Sequence, residues 1–320
     1  MINVGFIGAG DISYLHGEAL QRCANAQLRG LWSVDPGLAK EKCKLFSCQN
    51  FNSAEALVND PQIDVVFILT NMETHHDYAI LAMEAGKHVL VEKPIASSCA
   101  EIESMKAAAQ KQNVIFAPGH NYIHEESLIR TRELIETGKL GDLTAIYIMY
   151  HIHHPEEVAM RYPGVIRQIL THHSYILLYL AGVPESLSAM KTVVHYKEFT
   201  GEDIAMVNFK MKNGALAHFS ANFAADDHSN DPWTFVVKVI GTKGATRFSY
   251  RDWVENKPAE VHSQTYSAYP YSVINEDRFF IEECIQKGTP PLSTIDDALI
   301  CQKIVEASEL SAAEGRMVHL

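Results

Sequence analysis

Apolar positions along the chain follow two rhythms. From residue 2 to 120, short runs rich in valine and isoleucine alternate with longer stretches of helical period, the pattern of a parallel sheet covered on both faces. The runs predict strands near 2–7, 29–34, 64–69, 88–91 and 114–117. The periodic stretches predict helices near 12–24, 36–46, 53–58, 75–85 and 98–111, with Ser53 and Ser98 as capping residues. After about 120 the rhythm changes. A helix near 124–137 ends at Gly138, and Thr144 to His154 then alternates, so that Tyr147, Met149, His151 and His153 share one strand face. A helix near 164–181 follows. Between 185 and 255, strand-like runs at 187–196, 203–211, 215–222, 234–240 and 244–249 are joined by turns such as Lys212-Asn213-Gly214 and Thr242-Lys243-Gly244, which reads as a mostly antiparallel sheet. Helices near 275–287 and 295–314 close the chain. The predicted class is α/β, with a doubly wound parallel sheet in a domain over 1–120 and a second α/β domain over 121–320.

Composition narrows the function. With 320 residues, 47% hydrophobic and 21% charged, the chain is long enough for two cores. A formal charge of -12 without any lysine or arginine run opposes binding to a phosphate backbone, so no nucleic-acid partner is expected. Residues 1–10 carry no basic leader, and no apolar run approaches the roughly 18 residues needed to span a bilayer, which predicts a cytoplasmic protein without a membrane partner. Cys23, Cys43, Cys48, Cys99, Cys284 and Cys301 are scattered and read as free thiols.

The chemistry starts at Val4-Gly5-Phe6-Ile7-Gly8-Ala9-Gly10-Asp11-Ile12-Ser13. A pyrophosphate needs backbone N–H donors at close range, and a strand that turns through Gly8 and Gly10 into a helix beginning at Asp11 and Ile12 supplies them. Ser13 replaces the third glycine of the dinucleotide fingerprint with another small residue. Asp35, at the end of the second strand, is placed for both ribose hydroxyls and would repel a ribose phosphate, which favours NAD over NADP. The same carboxylate can cap the helix that starts near Pro36.

Thr70-Asn71-Met72-Glu73-Thr74-His75-His76, then Ala85-Gly86-Lys87-His88-Val89-Leu90-Val91-Glu92-Lys93-Pro94, make the chain resemble the Gfo/Idh/MocA family of sugar and polyol oxidoreductases. The likeness continues through Gly138-Lys139-Leu140-Gly141-Asp142, Asn213-Gly214-Ala215, Gly241-Thr242-Lys243-Gly244 and Ser308-Glu309-Leu310-Ser311. It implies an N-terminal Rossmann domain, a C-terminal α/β domain whose open sheet mediates a homodimer or homotetramer, and a substrate cleft facing the nicotinamide. By the same likeness Thr70, Asn71 and His75 lie along the cofactor, Glu92 contacts the nicotinamide riboside, and Lys93 points at the reacting carbon. An ammonium beside an oxidised nicotinamide has a lowered pKa and can exchange a proton with a substrate hydroxyl. The Lys93–Pro94 bond is a candidate for the cis form.

Relatives carry a second motif, an aspartate four residues before a histidine and another three after it. The matching register here is Gln168, His172 and Tyr175, which keeps the single helix face and loses the carboxylates. His172 remains a general base without a charged orienting partner, and its neighbour His173 reads as a packing residue. His120, His124, His151, His153 and His154 fall where relatives line their substrate pocket. His151 and His153 suit sugar hydroxyls, or a metal completed by His172; without a carboxylate or cysteine at ligand spacing, no metal is expected. Asn121, Tyr122, Arg161, Tyr162 and Arg167 complete the polar candidates for substrate. The expected activity is hydride transfer between NAD and a secondary alcohol of a sugar, inositol or glycoside. The alternatives are transient oxidation by tightly held NAD for elimination or epimerisation, and a non-catalytic NAD-binding regulator.

Overall fold

The computed structural model describes residues 1–224, 233–249 and 264–320, so the end of the 185–255 region lies outside the described residues. The chain divides into two compact units, 1–124 with 270–299 and 125–269 with 300–320.

The first unit runs β1 (Ile2–Ile7), α1 (Asp11–Gln21), β2 (Ala26–Trp32), α2 (Pro36–Phe46), β3 (Gln49–Asn50), α3 (Ala54–Val58), β4 (Val65–Ile68), α4 (Met72–Glu84), β5 (His88–Val91), α5 (Cys99–Gln112) and β6 (Phe116–Pro118). All its strands are parallel, in the order β3-β2-β1-β4-β5-β6. Strand order reverses between β1 and β4, where the carboxyl ends of a doubly wound sheet leave a crevice. β4 shows why the apolar runs are continuous instead of alternating: all four of its residues are buried. Val65 and Phe67 pack with Leu20, Leu31 and Phe280 on one face, while Val66 and Ile68 pack with Leu57, Met83 and Met105 on the other. Each such side chain contributes about 1.5–3 kcal/mol on burial. The caps act as expected: Asp35 accepts from the Gly37 and Leu38 amides, Ser53 from Ala56 and Ser98 from Glu101. The two-residue β3 is exposed and too short to leave an apolar signal.

The later elements are α6 (Glu126–Glu136), β7 (Leu143–Ile152), α7 (Glu156–Ala159), α8 (Val165–Gln168), α9 (Leu170–Ala181), β8 (Pro184–Thr192), β9 (Ile204–Met211), β10 (Leu216–Asn222), β11 (Trp233–Gly241), β12 (Ala245–Ser249), α10 (Gln264–Arg278), α11 (Ile295–Glu314) and β13 (Val318–His319). The second sheet is ordered β12-β11-β7-β10-β9-β8-β13, and among its described pairings only β7 with β10 is parallel. One face is core, with Ile146, Ile148, Val207, Phe209, Phe219, Phe235 and Val237 buried. On the other face, register aligns Met190, Met206, Ser220, Met149 and Val236 in one row across the sheet, with Met190 78% and Met206 48% exposed.

Four expectations change. β7 stops at Ile152, so His153 lies beyond the strand and does not share its face with His151. β8 stops at Thr192 because the buried Asp203 carboxylate accepts the Val194, His195 and Tyr196 amides, turning them from a partner strand to a side chain. The helix predicted over 164–181 is broken at Ile169, whose φ of -104° leaves the His172 amide to reach the Ile169 carbonyl. Residues 270–299, assigned by chain order to the second domain, pack in the first unit. A π-helical turn over Phe279–Ile285 buries Phe280, Ile281 and Cys284 in the same core as Val65 and Phe67.

Candidate active site

Parallel pairing brings the carboxyl ends of β1, β2, β4 and β5 to one edge of the first sheet, and the predicted cofactor residues follow directly from those ends. After β1, Gly8 has φ of +114°, and a Cβ there would lie 2.5 Å from the Leu69 carbonyl oxygen. Only glycine fits that turn. A Cβ on Gly10 would meet nothing within 4 Å, so the backbone at the start of α1 is open to close approach. No side chain caps α1, and Ser13 bonds back to the Gly10 carbonyl. The first-turn amides of Asp11 and Ile12 therefore face outward as the donor set an anion requires. After β2, Asp35 engages the amides of Gly37 and Leu38 at 2.8 and 3.0 Å through Oδ1 alone, leaving Oδ2 for a ribose hydroxyl. These residues fit a dinucleotide.

After β4, Thr70 is half-buried, and exposed Asn71 begins α4 without a capping bond from its side chain. His75 is not open to the edge. Its ring is buried, with Nδ1 2.8 Å from the Pro94 carbonyl and Nε2 2.9 Å from the Thr70 carbonyl, so it braces the ends of β4 and β5, and burial lowers its pKa. After β5, Glu92 is buried and Lys93 half-buried, and the Lys93–Pro94 bond is cis. The Lys93 amide donates to Glu92 Oε2 at 2.9 Å. Burial lowers the pKa of the Lys93 amine, with the Glu92 charge pulling the other way.

The sequence reading missed what lies behind Glu92. His16, on the inner face of α1, is wholly buried, with Nδ1 2.9 Å from Asp277 Oδ1 and Nε2 3.1 Å from Glu92 Oε1. Burial acts against its charge, but Asp277 and then Glu92 outweigh that and hold its pKa at about 10. Glu92 is likewise opposed by burial, yet His16 and then Lys93 keep its carboxyl below the ordinary range. Glu276 is also buried, and burial, then the neighbouring Glu92 and Asp277 charges, push its pKa well above the ordinary carboxylate range. A histidine among the buried positions of an amphipathic helix was the available signal for His16, and none pointed to Asp277.

After β6, Asn121 is buried with its amide donating to Ser272 at 2.7 Å, and Tyr122 is fully buried. Burial takes His120 and His124 down to about 3.

In the second unit, His172 and Tyr175 come together on α9, the hydroxyl 2.7 Å from His172 Nδ1. Gln168 belongs to the separate α8. His173 is buried against Phe219 and Tyr150, and burial holds its pKa well down. His151 Nε2 lies 2.8 Å from the Ser220 hydroxyl, whereas His153 faces His195 at 5.9 Å between ring centroids. Arg161 is exposed, and Arg167 is engaged by both oxygens of Glu309. Among the described residues no three His, Cys, Asp or Glu side chains form a group able to hold a metal ion, and no helix is long and apolar enough to cross a membrane.

Residues 2–120 match the family described as "Oxidoreductase family, NAD-binding Rossmann fold", and residues 128–247 match the "GFO/IDH/MocA C-terminal domain". The chain is 25% identical to a myo-inositol 2-dehydrogenase of Thermotoga maritima, across 100% of this chain and 98% of that protein. It is 24% identical to a D-apiose dehydrogenase of Paraburkholderia graminis, across 98% and 88%. A solved scyllo-inositol dehydrogenase from Lactobacillus casei, with bound NAD(H) and scyllo-inositol, shares the fold at a TM-score of 0.89 and 20% identity, over 100% and 99% of the two chains.

Proposed function

The chain belongs to the Gfo/Idh/MocA oxidoreductase family, and from that premise we propose that it is an NAD-dependent dehydrogenase moving a hydride to or from a secondary alcohol of a sugar or polyol. One observation carries the reading: an uncapped glycine turn, a free carboxylate oxygen on Asp35 and a desolvated Lys93 all follow carboxyl ends of one parallel sheet.

In the proposed reaction the amides of Gly10, Asp11 and Ile12 hold the pyrophosphate and Asp35 holds the adenosine ribose. Thr70, Asn71 and Glu92 border the cofactor. Bound nicotinamide supplies the hydride acceptor or donor. Lys93 exchanges a proton with the substrate hydroxyl, and burial favours this by populating its neutral amine at lower pH than in an ordinary lysine. His172, whose Nδ1 lies 2.7 Å from the Tyr175 hydroxyl, is the second proton-handling group. Gln168, Tyr175, Asn121, Tyr122, His151, His153 and Arg161 remain the proposed substrate set. The burial of Tyr122 and the Ser272 contact of Asn121 favour a supporting role for those two. The unit formed by 1–124 and 270–299 is the proposed dinucleotide-binding domain, and 125–269 with 300–320 the substrate and assembly domain. The exposed Met190–Met206 row supports a homodimer or homotetramer, which light scattering on the purified protein tests.

The deciding experiment is a screen of inositols, sugars and glycosides for NADH fluorescence. Turnover of at least one with NAD preferred over NADP is expected; purified protein that binds neither NAD nor NADH overturns the proposal. Stoichiometric NADH release distinguishes net oxidation from chemistry that retains its cofactor.

A further inference from the structure

His16 joins three segments that are remote in sequence: α1, the end of β5 and α10. Its ring is set edge-on to Phe67 at 5.4 Å and to Phe6 at 6.4 Å, which leaves little rotational freedom. Both ring nitrogens face a carboxylate. A neutral imidazole would turn a lone pair toward one of those oxygens, whereas an imidazolium donates to both.

We propose that His16 is a positioning residue for Lys93: clamped against Asp277, its imidazolium turns Glu92 so that one carboxylate oxygen meets His16 and the other receives the Lys93 amide. This fixes the direction of the Glu92–Lys93 corner and keeps a full negative charge beside the amine. The inference rests on the reading that Lys93 handles the proton.

The surrounding groups give the charge balance. Glu92 and Lys93 follow β5, His75 comes from α4, Glu276 and Asp277 from α10, Cys23 lies just beyond α1, and His120 follows β6. Burial pushes the Glu276 carboxyl up and His75 and His120 down, each toward its neutral form, raises Asp277 against the pull of His16, and together with Asp277 raises the Cys23 thiol. His16 is thus the cation shared by the Glu92 and Asp277 carboxylates on its side away from Lys93. Without it, two buried carboxylates would face each other in low dielectric and one would take up a proton. A protonated Glu92 no longer supports the Lys93 ammonium against desolvation, and the amine loses its proton at lower pH.

The test reads Lys93 directly, without substrate or turnover. Trace acetylation of the full chain across pH, followed by mass spectrometry, gives the midpoint at which the Lys93 amine becomes nucleophilic. His16→Gln is expected to lower that midpoint by about one pH unit relative to the parent. A folded His16→Gln protein with an unchanged midpoint overturns the proposal. Nitrogen NMR of the parent decides independently of any variant's folding: the His16 ring is expected to carry protons on both nitrogens at neutral pH, and a singly protonated ring there overturns it. A parent that shows both signatures but no NAD-linked turnover would sink the dehydrogenase reading while leaving the His16 arrangement standing.

Discussion

His16 in the first unit and His173 in the second are both wholly buried and both lie against phenylalanine rings, yet they hold opposite charge. Carboxylates reach both nitrogens of His16 and hold it as an imidazolium. His173 has no hydrogen-bond partner on either nitrogen, and burial keeps it neutral. Its neighbour His172 is met by a phenol. Depth of burial therefore does not decide the charge state; the arrival of a carboxylate does. The first unit surrounds its histidine with carboxylates, and α9 sets a phenol against His172.

Replacing the amine at the ionic site should have the largest effect. Lys93→Met, which keeps the stem, is expected to lower kcat by about 10²–10⁴-fold while NAD affinity, read by fluorescence titration, changes little. Equal turnover would remove the functional meaning of the contrast.

Stability against pH separates the two kinds of histidine. The folded pKa of His16, about 10, lies above its ordinary 6.5, so its contribution is complete below 6.5 and is lost as pH rises toward 10. For His120 and His124, at about 3, the contribution is present above 6.5 and lost as pH falls toward 3. Each group alters stability by about 1.4 kcal/mol per pH unit within its window. Thermal melts should show both slopes, with His16→Gln flattening the alkaline one alone.

On α9, His172→Asn is expected to lower kcat about 10²-fold. The smallest effect belongs to Tyr175→Phe, which removes one neutral hydrogen bond of about 1 kcal/mol and should reduce kcat by less than about tenfold. A loss as large as that of His172→Asn would mean that the phenol is itself a proton donor.

The contrast also marks how far local pattern reaches. The strand, glycine turn and Asp35 cap of the first unit were legible because they are set by neighbours a few positions away, whereas the Glu92–Lys93 corner was singled out by family resemblance. His16 was legible only as a polar exception on a buried helix face, since its partner Asp277 lies 261 positions on. Strand ends failed for the same reason. The 193–196 stretch reads as β until Asp203 withdraws its amides, and no short-range period announces that withdrawal. The break at Ile169 separates Gln168 from His172, although spacing alone puts them on one helix face. Phe280 and Ile281 have the composition of any core helix, and nothing in their period states which core receives them.

The return of 270–299 to the first unit bears on how a ribosome delivers this protein. At roughly 5–20 residues per second, the stretch separating His16 from Asp277 takes on the order of tens of seconds to emerge. During that interval the newborn N-terminal sheet has Glu92 but lacks Asp277, the second carboxylate at His16, and the Phe280 wall of its core. Its completion is therefore a late event of synthesis, placed after nearly all of the second unit has left the tunnel.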